Sequence, residues 1–288
     1  MACSTAAVRT RAIAESGKCV YDRRWDRLHG DGLGIIAFFG RKCYNARETP
    51  KRRGQPAIEV PTLVLASASP RRHALLGLLR QPFHVLATST DETVVPGASV
   101  EETVISLASA KARVAVTRHP DCVVLAADTL VEMDGRILGK PTSPDEAVLM
   151  LRSLRGRWHT VWTGVAVMVG TTGYYDVTAV AASVLMRPYS DAEIAAYVAT
   201  GDPMDKAAAY AVQHASFDPV AEVRGCRANV MGLPVCEVHD MLTRAALVGS
   251  VSPAHSCPVY LGIVCTGRQE TGPGSARTPN ISLSGASS

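Results

Sequence analysis

Between Thr62 and about Leu247 the sequence alternates short apolar runs with amphipathic stretches that open on capping residues. Strands and helices packed in layers leave this pattern, so it restricts the chain to α/β or α+β architectures. Thr62–Ala66 is an apolar run ending in Ser67-Ala68-Ser69-Pro70, and Arg71–Leu79 continues with helical spacing; the segment reads strand, tight turn, helix. Ser99 with Glu102 three residues on predicts a capping box ahead of Val104–Val116. Ser143 with Glu146 and Ser190 with Glu193 open two further helices, reaching Leu154 and stopping at Gly201. Phe83–Ala87 and Cys122–Ala127 read as strands, the second ending at Asp128. Asp134-Gly135 signals a hairpin between Val131 and Ile137, and Gly170-Thr171-Thr172-Gly173 joins His159–Val169 to Tyr174–Met186 as a long antiparallel one. The expected fold class is α/β, with a mixed twisted sheet and flanking helices.

The flanks differ in texture. Residues 1–61 mix Gly, Arg and Lys with single aromatics and no sustained period, and are expected to be irregular or disordered. Residues 248–288 are rich in Ser, Gly and Pro and are expected to form a disordered tail. Residues 1–60 hold 12 Lys/Arg against 6 Asp/Glu, whereas residues 61–288 hold 18 against 20, so the basic charge sits in the leader and not on the folded body. A nucleic-acid-binding core needs its basic patch on the folded face, so no nucleic acid is expected as partner. The longest apolar stretches fall well short of the ~20 residues of a membrane span. No membrane partner is expected either. The eight cysteines form no CxxC pair and no zinc-ligand spacing, which suits reduced thiols in a cytoplasmic protein.

The strongest chemical signal is Ser67-Ala68-Ser69-Pro70-Arg71-Arg72. Backbone N–H groups at a helix start lack intrahelical partners and favour an anion, and Arg grips phosphate oxygens with two prongs. An ordinary capped surface helix with solvated arginines explains the segment equally well. Asp128, followed by Thr129, closes an apolar strand, where open α/β sheets place ligands; a turn-capping Asp is the plainer reading. Asp91-Glu92 offers a second acidic position, and two converging carboxylates could hold a divalent metal. Gly139-Lys140-Pro141 is not a phosphate loop: the spacing from Gly135 is one residue short and Pro replaces the needed Ser or Thr. Lys140 could still reach a phosphate as a point charge. Asp205-Lys206, ahead of the small-residue run Ala207–Ala211, suits either a loop against a planar ligand or a surface loop with a local ion pair.

In this order, the segments LASASPRR (Leu65–Arg72), DE (Asp91–Glu92), Ala110–Ala112, ADT (Ala127–Thr129), GKP (Gly139–Pro141), His159–Val165, Tyr197–Gln213 and Asn229–Val235 resemble the Maf family of nucleotide pyrophosphatases, which are similar in fold to inosine triphosphatases. Eight motifs in register make accident improbable. The resemblance covers about residues 62–247 and neither flank. It implies two lobes around a deep cleft, a possible homodimer, and hydrolysis of the bond between the α and β phosphates with a divalent metal (magnesium, manganese or cobalt). It further implies Asp128 as proton acceptor, and Ser69, Arg71 and Arg72 as the phosphate grip. Glu92, Lys111 and Lys140 resemble the other polar residues of the cleft, Glu92 and Asp128 being the metal candidates and Asp205 and Lys206 substrate contacts. Arg71, Thr129 and Gln213 resemble the branch acting on dTTP and UTP. A broad-specificity pyrophosphatase, or a nucleotide-sensing binder linked to septum formation, are the alternatives. One departure stands out: the usual DKAGAYG is here DKAAAYA, with Ala208 and Ala211 in place of glycines.

Overall fold

The computed structural model describes residues 19–22, 40–43, 62–88, 97–247 and 251–262. Residues 1–58 form a unit of their own. In it Cys19–Asp22 (β1) pairs antiparallel with Gly40–Cys43 (β2), within the stretch expected to be irregular or disordered. Val20 and Tyr21 favour the extended backbone that such pairing needs.

The body is built on a seven-stranded mixed sheet. Leu63–Leu65 (β3) leads into the helix Pro70–Leu76 (α1), continued by a 3₁₀ turn at Gly77–Leu79, and into Phe83–Val85 (β4). Val100–Arg118 (α2) precedes Val123–Met133 (β5), which turns into Arg136–Leu138 (β6). The helix Pro144–Leu154 (α3) is followed by the long hairpin Trp158–Val169 (β7) and Tyr174–Met186 (β8), then by Asp191–Ala199 (α4). Val220–Arg224 (β9), Arg227–Val230 (α5), Val235–Arg244 (α6) and Pro253–Leu261 (α7) complete the order. The strands lie in the order β4-β3-β5-β7-β8-β9, with β6 on β5. β3 runs parallel to β4 and β5, and the remaining pairs are antiparallel. The lobes implied by the resemblance are thus parts of one continuous sheet, through which β5, β7 and β8 run.

Local chemistry explains most of the boundaries. Ser99 and Ser190 form reciprocal capping boxes with Glu102 and Glu193. Ser143 caps α3 through the Glu146 N–H, but the Glu146 carboxylate turns back to the Thr142 N–H at 2.7 Å. Asp134 and Gly135 take φ of 53° and 71°, the left-handed pair that a two-residue hairpin turn demands. Gly201, φ 75°, stops α4 as expected.

Two layers cover the sheet. On one side Val64, Ala66, Val124, Ala126 and Ala166 pack against Ala108, Ala112 and Ala115 of α2. On the other, Leu63, Leu65, Leu125, Ala127, Val161 and Val165 pack with Leu75, Leu76, Leu151, Leu154, Ile194 and Met241 from α1, α3, α4 and α6. Fully burying each aliphatic chain of this kind is worth ~1.5–3 kcal/mol.

The expected disordered tail holds α7, a correction to that reading. Its approach is pinned by Val251 N–H donating to the Leu79 carbonyl at 2.8 Å, and Cys257 packs into the main core at 6 % exposure. The tail's Pro content misled: Pro253 sits at the first helical position, where its missing N–H costs nothing. Among the described residues no helix is long and apolar enough to cross a membrane.

Candidate active site

The strand expected to stop at Asp128 does not stop there. β5 continues five residues further, with Asp128 facing Gly164 and Thr129 facing Thr163 across the ladder with β7. Alternation along a strand sends these two neighbours to opposite faces of the sheet. Asp128, 7 % exposed, lies on the α2 side and forms an ion pair with Lys111 of α2. The acid interrupts the apolar run because a helix lysine meets it there, not because the strand has ended.

Gly164 makes that meeting possible. A Cβ built on it would stand 2.1 Å from the backbone oxygen of Val104, so α2 rests its own backbone on β7 beside the acid. The Ala-Lys-Ala stretch of α2 continues the close approach: Ala112 is fully buried and Lys111 nearly so, its side chain 11 % exposed.

On the opposite face Arg72, from the first turn of α1, spans three segments. Its Nε donates to the Gly232 carbonyl at 2.8 Å and its Nη2 to Thr129 Oγ1 at 3.0 Å, while Nη1 lies 3.4 Å from Ser67 Oγ. Thr129 Oγ1 and Thr163 Oγ1 are 2.9 Å apart, and Thr163 donates to the Asn229 carbonyl at 3.1 Å. Asn229, wholly buried, donates through Nδ2 to the Val161 carbonyl at 3.0 Å. Gly232 takes φ 104°, and a Cβ there would lie 3.3 Å from both Arg72 Nε and Thr129 Oγ1. The chain Arg72–Thr129–Thr163–Asn229 therefore ties the start of α1, the centre of the sheet and the 226–233 turn into one polar ladder. Thr163, Asn229 and Gly232 were not singled out from sequence; they stand within the TGV and NVMGLPV stretches that carried the resemblance, and that was the available signal.

The remaining expected site residues fall as follows. Ser69 occupies the N-cap of α1 with no side-chain cap bond, its N–H donating to Ser67 Oγ at 3.2 Å. Arg71, half-buried, follows Pro70 in the first turn. Lys140 is exposed beside Gly139, whose carbonyl accepts from the Ala208 N–H at 2.8 Å and so brings the GKP and DKAAAYA stretches together. Lys206 is 6 % exposed, and its ammonium donates to the Asp202 carbonyl at 2.5 Å, the Asp202 carboxylate at 2.8 Å and Asp205 at 2.7 Å. The Lys206 ammonium thus braces its own loop from a buried position, while the Asp205 carboxylate stays exposed. Gln213 is exposed and lines a hollow of about 420 Å³. Asp91 and Glu92 lie outside the described residues.

Of the two departures from glycine, Ala208 takes φ 56° and is fully buried, so the left-handed conformation that a glycine would adopt without strain is imposed on an alanine. Ala211, 7 % exposed, is not among the positive-φ positions.

Residues 62–245, which contain every element from β3 to α6, match the family described as Maf-like protein. The chain belongs to the Maf family. Among its relatives, the dTTP/UTP pyrophosphatase of Thermomicrobium roseum is 46% identical over 198 residues, covering 68% of this chain and 90% of that protein. The dTTP/UTP pyrophosphatase of Moorella thermoacetica is 47% identical over 184 residues, covering 62% and 93% respectively. The Maf match ends ahead of α7.

Proposed function

We propose that this Maf protein is a nucleoside triphosphate pyrophosphatase that converts dTTP or UTP and water to the nucleoside monophosphate and pyrophosphate. The observation that carries the reading is the buried Asp128–Lys111 pair, in a chain 46% identical to a dTTP/UTP pyrophosphatase. A polyanionic substrate needs positive charge before a nucleophile can approach, and a deprotonated water after that. Arg71 and Ser69 at the mouth of α1 bind phosphate oxygens. Arg72, tied to Thr129 and Gly232 on the other face of the sheet, braces the start of α1 that carries them. Asp128 takes the proton of the attacking water as the bond between the α and β phosphates breaks and pyrophosphate leaves.

Among the described residues no group of three or more His, Cys, Asp or Glu side chains could hold a metal by itself. Asp128, paired with Lys111, is the candidate carboxylate among the described residues, and magnesium is commonly bound through one or two carboxylates together with substrate phosphates and waters. Asp128, with Glu92 as the second candidate, would hold the ion. Bound there, it would neutralise phosphate charge and sharpen the acidity of a coordinated water.

Incubation with a panel of triphosphates and magnesium or manganese, followed by chromatographic identification of the products, tests the reading. Pyrophosphate and a monophosphate are expected, with dTTP and UTP turned over fastest; equal rates for all bases would favour the broad-specificity alternative. An Asp128→Asn variant is expected to lose about 10²–10⁴ in turnover while retaining dTTP binding by calorimetry. Equal turnover in both proteins would remove Asp128 from its role. Tight nucleotide binding without turnover in the native chain would favour the regulatory binder.

A further inference from the structure

α7 lies beyond the Maf match, yet it closes one side of the hollow that holds Gln213. The hollow, about 420 Å³, is lined by Gln213 and His214, by Arg227 and Met231, and by Tyr260 and Leu261 of α7. Arg227 is fixed there by a bond from Nη2 to the Val212 carbonyl at 3.1 Å. Met231 precedes Gly232, the residue that accepts from Arg72, so one short turn carries both the wall of this hollow and the Arg72–Thr129 contact. Tyr260 is 47 % exposed although its helix is anchored by Cys257 and by a Ser256 hydroxyl 3.4 Å from the Leu78 carbonyl. A large aromatic on an anchored helix, left open beside an amide that can both donate and accept, has the form of a base-binding wall.

We propose that Tyr260 is a substrate-binding residue that stacks on the nucleobase of the substrate, beside Gln213. The inference rests on the nucleotide pyrophosphatase reading and deepens it. It assigns to a helix outside the family's shared domain a part of the substrate site. Stacking against any aromatic ring is sequence-tolerant, because every base has a π-face, so Tyr260 supplies affinity. The phenol hydroxyl is not needed for stacking; the ring is.

The test compares the full-length native chain with Tyr260→Ala and Tyr260→Phe, measuring kcat and KM for dTTP and, separately, the affinity for dTMP by calorimetry. Tyr260→Ala is expected to raise KM for dTTP and the Kd for dTMP by about tenfold, the scale of one lost base–aromatic stack, with kcat within twofold of native. Tyr260→Phe is expected to restore both values. Thermal unfolding of each variant shows whether α7 stays docked. A Tyr260→Ala protein that unfolds at the native temperature and binds dTMP as tightly as the native chain overturns the inference, as does a Phe variant no better than Ala. If the native chain releases no pyrophosphate from any triphosphate, the enzymatic reading fails on its own account. The dTMP affinities of the three proteins then still decide whether Tyr260 meets the base.

Discussion

The face of the sheet under α2 is covered by one helix with small side chains, Ala108, Ala112 and Ala115, and holds its acid through one lysine of that helix. The opposite face carries its polar groups on several segments, Arg72, Thr129, Thr163 and Asn229, joined by hydrogen bonds to one another and to three backbone carbonyls. The first is a close contact of backbones and has no slack. The second is a network whose buried members depend on one another for their hydrogen-bond partners. The lesson is that one strand, β5, serves two kinds of construction, and that a substitution acts through clash on one face and through lost partners or strain on the other.

The largest effect on stability is expected at Gly164. Gly164→Ala would drive a Cβ into the Val104 carbonyl, and since backbone cannot turn aside as a side chain can, the cost is at least about 3 kcal/mol. A urea midpoint close to native would break the contrast, because it would mean that the α2 face has room to yield. A loss of turnover alongside the fall in midpoint would sharpen it, since α2 also carries Lys111.

On the network face the next effect depends on pH. His159 is buried with Nε2 2.7 Å from the Tyr210 hydroxyl, and burial pushes its ring down from 6.5 to about 4. The unfolded chain therefore takes up the proton at higher pH than the folded one, and stability falls as pH drops from about 6.5 to about 4. The loss is on the order of 3 kcal/mol over that window, and full stability returns above it. Unfolding by urea at several pH values checks this, with His159→Gln expected to flatten the slope. A slope unchanged in the variant would place the titration elsewhere.

The smallest effect is a gain. Ala208→Gly removes a left-handed alanine from a fully buried position, and an increase of about 1 kcal/mol is expected. A lower midpoint would show that the alanine methyl contributes more by packing than its backbone loses by strain.

Much of the fold was legible because its signals are local. Ser99, Ser190 and Ser143 cap their helices through side chains that reach only three residues along, and Asp134-Gly135 carries its turn in its own two residues. Errors arose where a distant residue decided the outcome. Asp128 looked like a strand end because its partner, Lys111, comes from the preceding helix, 17 residues back. Asp205-Lys206 left two readings open, and the bonds from the Lys206 ammonium to the Asp202 carbonyl and carboxylate show it as the brace of its own loop. β9 gives little hydrophobic period, with Ala221, Glu222 and Arg224 all exposed, and α7 hid behind the prolines at positions 253 and 258. In the candidate site, Asp128, Lys111, Thr129 and Arg72 were named from motifs. The threonine and asparagine that extend the Arg72–Thr129 contact lay inside those motifs unassigned, since a hydrogen-bond ladder across three elements has no sequence spacing.

Asp128 and Thr129 are consecutive residues on a strand paired along its length with β7. Inserting or deleting a single residue upstream in β5 would exchange their sides, turning the carboxylate toward the arginine and the hydroxyl toward the lysine. Evolution or design can therefore vary what surrounds each of them by substitution, but the phase of this strand is a parity that admits no small change.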